Sequence, residues 1–80
     1  MDLEQRLREI LHEIDEEIDV DSLTRESDLA KDIGMSSVSL LYMAVALEDN
    51  FGVDFTNENL GKIKTVGDVI DILEQKIANE

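Results

Sequence analysis

Asp32-Ile33-Gly34-Met35-Ser36-Ser37-Val38-Ser39-Leu40 sets a turn glycine just ahead of a serine cluster, and the cluster opens a long apolar run. No charged residue occurs from Ile33 to Leu47, although 34% of the chain is Asp, Glu, Lys or Arg. A run left uncharged in such a chain is either buried on all sides, or has one face in the core and another against a partner. A chain of 80 residues can hardly surround a helix, so the second reading is preferred.

Serine is a good N-cap because its oxygen accepts an exposed backbone N–H. The helix is therefore expected to open at Ser36 or Ser37 and to run to about Phe51. Gly52 is placed to end it in a left-handed conformation. Leu40, Met43, Ala44, Leu47 and Phe51 share one face, which suits the core. Val38, Leu41, Tyr42 and Val45 lie roughly opposite. Of these, Val38, Tyr42 and Val45 read as a partner-facing patch; a homodimer seam and a deeply buried helix are the alternatives.

Upstream, Leu3, Leu7, Ile10, Leu11, Ile14 and Ile18 recur at helical spacing. They predict a first helix over 2–16, with Glu4, Arg8, Glu9, Glu13 and Glu16 on its solvated face. A long connection follows, and Val20, Leu23, Leu29 and Ile33 are expected to pin it onto the core. Downstream, Val53 and Phe55 read as apolar linkers. Thr56 is placed to cap a short turn holding Leu60 and Ile63. Thr65 is placed to cap a last helix whose stripe is Val66, Val69, Ile70, Leu73 and Ile77. The fold expected is all-α: a four-helix bundle of three longer helices and one short one, in a single domain over residues 1–80.

Twenty acidic side chains face seven basic ones, a formal charge of -13. That excludes a nucleic-acid footprint, and it disfavours anionic membranes. It favours solubility and attraction to basic patches on other proteins. With no Cys, there is no disulfide, thiolate metal site or Cys nucleophile. Met1-Asp2-Leu3-Glu4 lacks the basic and apolar regions of a signal peptide. The uncharged run is shorter than the ~20 apolar residues needed to span a bilayer. A cytoplasmic monomer without membrane insertion is expected.

Catalytic chemistry finds no purchase. His12 stands alone among charged residues, so no metal site is expected. Asp19, Asp21 and Glu26 lack the glycine and spacing of a calcium loop. Ser36, Ser37 and Ser39 lack a nearby base to activate a nucleophile. What remains is a serine at a helix start after a glycine turn, where the hydroxyl is exposed and the helix N-terminus favours an attached phosphate.

Asp32-Ile33-Gly34-Met35-Ser36-Ser37-Val38, then Ala46-Leu47-Glu48 and Phe51, resembles the acyl carrier protein family. That family's pattern is Asp-x-Gly-x-Asp-Ser-Leu, then an apolar helix closing in Ala-Leu-Glu and a phenylalanine. Lys62-Ile63-Lys64-Thr65-Val66 resembles the family's entry to its last helix, and the likeness covers almost the whole chain. It implies 4′-phosphopantetheine, taken from coenzyme A, on one serine as a phosphodiester. The register selects Ser37, three after Gly34, five after Asp32 and ten before Leu47. Ser39 followed by Leu40 is a rival local match whose glycine is off by two.

The resemblance further implies a non-catalytic carrier that holds acyl groups as thioesters. Its partners would be a phosphopantetheinyl transferase and acyl-transferring, condensing or ligase enzymes of fatty acid, lipid or polyketide biosynthesis. It also implies a cargo chain folded back between helices, near Met43, Leu47, Phe51, Phe55, Ile63 and Val69. Three positions depart from the pattern. Ser36 stands where aspartate is usual, and Ser39 and Tyr42 stand where acids are usual, so that only Glu48 and Asp49 remain near the end of the helix. Fewer carboxylates imply less electrostatic steering and more apolar contact at Val38, Tyr42 and Val45. A specialised discrete carrier is expected, with an aminoacyl or peptidyl carrier and a cofactor-free acidic adaptor as the alternatives.

Overall fold

The computed structural model describes residues 2–55 and 60–78, with Leu60 described in its backbone alone. Helix α1 spans Leu3–Ile14. The Asp2 carboxylate caps it, accepting the Glu4 and Gln5 amides at 3.1 and 3.3 Å. The helix stops two residues before the expected end. Asp15 turns to extended backbone, and its carboxylate accepts the Glu17 amide at 2.9 Å. A short acidic side chain offers the backbone this local turn in place of another helical bond.

Helix α2 spans Ser37–Phe51, with Ser36 as N-cap and Gly52 as a left-handed C-cap at φ 67°. Helix α3 spans Val66–Ala78. Its start is doubly closed. The Asp68 carboxylate accepts the Lys64 and Thr65 amides at 2.9 and 3.0 Å, while the Thr65 hydroxyl accepts the Asp68 amide at 3.2 Å. The short element between α2 and α3 is a single 3-10 turn, Leu60–Lys62. Thr56, its expected cap, lies outside the described residues.

α1 packs against both α2 and α3. Leu7, Ile10 and Leu11 of α1, Met43, Ala44 and Leu47 of α2, and Val66, Val69, Ile70 and Leu73 of α3 are buried together. Leu40 and Phe51, expected in the core, are half-buried at its margin. Phe55 is buried in the linker after α2. No polar or charged residue is buried among the described residues.

The long connection from α1 to α2 contains an unexpected 3-10 turn, Val20–Ser22. Leu23 and Leu29 are buried and Val20 and Ile33 half-buried, so all four hold the connection to the core. It is also stitched through the backbone to the start of α3. Asp28 and Thr65 form an antiparallel bridge, in which Leu29 N–H donates to the Lys64 carbonyl (2.8 Å) and Val66 N–H to that of Ser27 (3.0 Å). Gly67 N–H adds a bond to the Arg25 carbonyl (2.8 Å). The Arg25 guanidinium reaches Asp71 and Glu4, which raise its pKa further. The approach to the serine cluster is thereby fixed by another element.

Candidate functional site

The turn before the serines is built from two aspartates. The Asp28 carboxylate accepts the Ala30 and Lys31 amides at 2.9 and 2.8 Å. Those bonds, led by that of Lys31, hold its pKa below the usual carboxylate range. The charges of Lys31 and Lys64 act in the same direction, while desolvation opposes them. The Asp32 carboxylate returns to accept the Asp28 amide at 2.7 Å, and the Asp32 amide donates to the Asp28 carbonyl at 2.9 Å. Gly34 then takes φ +80°, a conformation that costs a residue with a Cβ but not glycine. Met35 follows buried, its amide bonded to the Leu29 carbonyl at 2.9 Å. With Met35 anchored, the next residues are set at the N-terminus of α2.

The three serines there are not equivalent. Ser36 Oγ accepts the Ser39 amide at 3.2 Å and lies 3.3 Å from the Ser39 hydroxyl. Ser36 thus fills the capping role open to the aspartate usual at this position, because a cap needs a short acceptor oxygen rather than a charge. Ser39, the rival in the sequence, is half-buried and tied into that cap. Ser37 is the first residue of α2 and is exposed. Its hydroxyl has no hydrogen-bond partner among the described residues. A phosphodiester here would sit where first-turn amides and the helix dipole favour negative charge. The site fits an attached phosphate group without displacing any bond of the fold.

The face of α2 that continues from Ser37 is apolar and open. Val38, Leu41, Tyr42 and Val45 are exposed at 64%, 50%, 66% and 45%. They line a shallow surface depression. Leu41 was not in the patch named from sequence, although helical spacing already placed it on that face. Tyr42 also borders a second depression with Ile10, Glu13, Ile14 and Ala46, between α1 and α2. Asp49 is exposed and Glu48 half-buried near the end of α2. Among the residues implied to surround a cargo, Met43, Leu47, Phe55 and Val69 are closed in the core and Phe51 is half-buried. Ile63 reaches a surface groove. His12 is exposed. No group of three or more His, Cys, Asp or Glu is placed to hold a metal among the described residues. No helix among them is long and apolar enough to cross a membrane.

A helical bundle that presents one uncommitted serine hydroxyl at a helix start, beside an open apolar helix face, has the features of a prosthetic-group carrier. The family described as "Phosphopantetheine attachment site" matches residues 5–73. An acyl carrier protein of Coprothermobacter proteolyticus is 40% identical over 60 residues, covering 75% of this chain and 73% of that protein. The acyl carrier protein MbtL of Mycobacterium sp. (strain MCS) is 41% identical over 71 residues, covering 89% of this chain and 79% of that protein. The solution structure of an apo doublet acyl carrier protein from prodigiosin biosynthesis superposes with a TM-score of 0.76 at 25% identity. It covers 92% of this chain, which spans 35% of that longer one. The chain belongs to the acyl carrier protein family, a family of non-catalytic carriers with covalently attached 4′-phosphopantetheine. Such carriers work with a phosphopantetheinyl transferase and with acyl-handling enzymes.

Proposed function

We propose that Ser37 is the attachment residue and that the chain, as one carrier domain, serves a dedicated lipid or polyketide pathway in the cytoplasm as a monomer. The carrying observation is the division of labour among the serines. Ser36 and Ser39 are engaged in capping α2, and Ser37 alone of the three offers an exposed hydroxyl without a partner among the described residues. When bound, the prosthetic group supplies a terminal thiol on which acyl cargo is held as a thioester. The chain's own residues orient and present it. Gly34 and Met35 fix the approach, Ser36 holds the helix start, and the first turn of α2 faces the phosphodiester.

Partner enzymes dock on Val38, Tyr42 and Val45, joined by Leu41 and bounded by Glu48 and Asp49. The exposure of four large apolar side chains in a chain of charge -13 supports this, because burial against a partner recovers apolar area that water disfavours. The scarcity of carboxylates on α2 supports a specialised carrier over a general fatty-acid carrier. Co-expression with a broad-specificity phosphopantetheinyl transferase, followed by intact-mass measurement, tests the attachment. Wild type gains one phosphopantetheine and Ser37→Ala gains none. Modification that persists in Ser37→Ala and vanishes in Ser39→Ala overturns the register.

A further inference from the structure

The open face of α2 does not end at that helix's own edge. Tyr42 borders the strip it shares with Val38, Leu41 and Val45, and it also borders a second depression, of about 260 Å³, between α1 and α2. Ile10, Glu13 and Ile14 of α1 and Ala46 of α2 complete that depression. Ile10 is buried and Ile14 and Ala46 are half-buried, so the seam has an apolar floor. Glu13 supplies the carboxylate at its rim. It is exposed, and its side chain has no ion pair or hydrogen bond among the described residues. From Ser37 to Leu47, α2 offers no charge of its own. Glu13 therefore places on α1 a charge that Ser39 and Tyr42 do not provide on α2.

What covers this surface follows from the place of Ser37. An enzyme that acts on the Ser37 hydroxyl must seat over the first turns of α2. Tyr42 lies five residues on, about 7.5 Å along the axis, and Ala46 nine residues on, about 13 Å. Both fall under a protein large enough to enclose the serine. Even the small interfaces of transient complexes bury on the order of 500 Å² a side, more than four partly exposed side chains on one helix supply. The contact has to run on, and the seam against α1 continues it without a break. A second copy of the chain is disfavoured, because it would bring the same charge of -13 and a second Glu13 to one face. We propose that the phosphopantetheinyl transferase that modifies Ser37 seats on this two-helix surface, with an apolar side chain in the seam and an arginine or lysine against Glu13. The proposal rests on attachment at Ser37 and on docking at α2, and it adds to them α1 and the charge of the partner.

The test uses the apo protein with a broad-specificity phosphopantetheinyl transferase and coenzyme A. Intact mass, with Ser37→Ala as control, first establishes attachment at Ser37; failure at that stage overturns the attachment reading and is seen separately. Glu13→Gln should then raise the KM for the carrier about 3–5-fold with kcat unchanged, and Glu13→Lys about tenfold. Both effects should shrink in about 500 mM salt. Glu74→Gln, at an exposed carboxylate of α3, removes the same net charge and should change KM by less than about twofold. The Glu13 side chain holds nothing in the fold, so its variants should melt within about 2 °C of wild type. Ser37→Ala, which cannot be modified, keeps the complex unreacted for NMR. Adding transferase to it should shift the amides of Glu13, Ile14 and Ala46 together with those of Val38, Leu41 and Tyr42. Shifts on α2 with none on α1, or equal KM changes for Glu13→Gln and Glu74→Gln, overturn the proposal and leave docking at α2 standing. Shifts on neither helix overturn both. Seam shifts that grow with carrier concentration before any transferase is added assign the surface to a second copy, and overturn the proposal too.

Discussion

A Cβ placed on Gly67 would stand 2.9 Å from the Arg25 carbonyl oxygen and 3.3 Å from the Arg25 Cβ. The Gly67 amide donates to that same carbonyl at 2.8 Å, so the two backbones cannot separate without losing a bond. Gly67→Ala is expected to cost about 1–3 kcal/mol, the range for forcing extra volume into a packed site. Urea denaturation measures it, and hydrogen exchange should rise first at Leu29 and Val66, whose amides bridge the same two segments. A cost near zero would show that the approach loop shifts freely from α3. Ser36→Ala isolates the neighbouring cap. It should lower stability by about 1 kcal/mol while Ser37 is still modified, since the cap and the proposed attachment belong to different hydroxyls. The serine motif was legible because its spacing runs along one stretch of chain. The role of Gly67 and the bridge between Asp28 and Thr65 were not, because each depends on segments brought together from far apart in sequence.

On the scale of elements, α2 carries two roles on opposite faces, and substitutions should separate them. Leu47 is fully buried, so Leu47→Ala should cost about 2–5 kcal/mol in thermal or urea unfolding of the apo form. Tyr42 is exposed, so Tyr42→Ala should leave the melting temperature nearly unchanged. It should weaken binding to a cognate acyl-handling enzyme by about 1 kcal/mol or more, as read by calorimetry. A destabilised fold with intact binding would place the docking surface elsewhere. The two-faced character was readable from helical period alone, as was the left-handed end at Gly52. The early stop of α1 was not, since it turns on a side-chain bond of Asp15 that competes with the helix. The start of α3 adds a pH dependence. The Lys64 amide, then that of Thr65, holds the Asp68 carboxylate below its ordinary pKa of 3.8. A depressed folded pKa gives stability that is present above the unfolded value and lost as pH falls through the folded one. Asp68→Ala should therefore melt below wild type at neutral pH, and the gap should close as pH falls below about 4. A gap that stays constant down to about pH 2 would mean that the carboxylate's charge is not what holds the cap.

Over the whole molecule, charge is the dominant liability. Twenty acidic groups and seven basic ones share a chain of 80 residues, while the core is purely hydrophobic among the described residues. A domain this small has little surplus of buried apolar area, so mutual repulsion of surface carboxylates takes a large share of its stability. Composition made this legible before any fold was known. The location of the exceptions required the fold, which lays exposed apolar side chains along one face of α2. Screening should relieve the repulsion without any specific site. Raising monovalent salt from about 10 mM to about 500 mM should raise the melting temperature by on the order of 5 °C. Magnesium and calcium should act at lower concentration than the monovalent salt, and equally with one another. That equality is the informative part, because Asp19, Asp21 and Glu26 are the only segment with even a faint likeness to a calcium loop, and no metal-holding group is assembled among the described residues. A calcium response that saturates at one equivalent, with magnesium inert, would overturn diffuse screening and return that loop as a site. A melting temperature unmoved by any of the three salts would show instead that the acidic surface is already balanced by its own hydrogen bonds, as at Asp28 and Asp68.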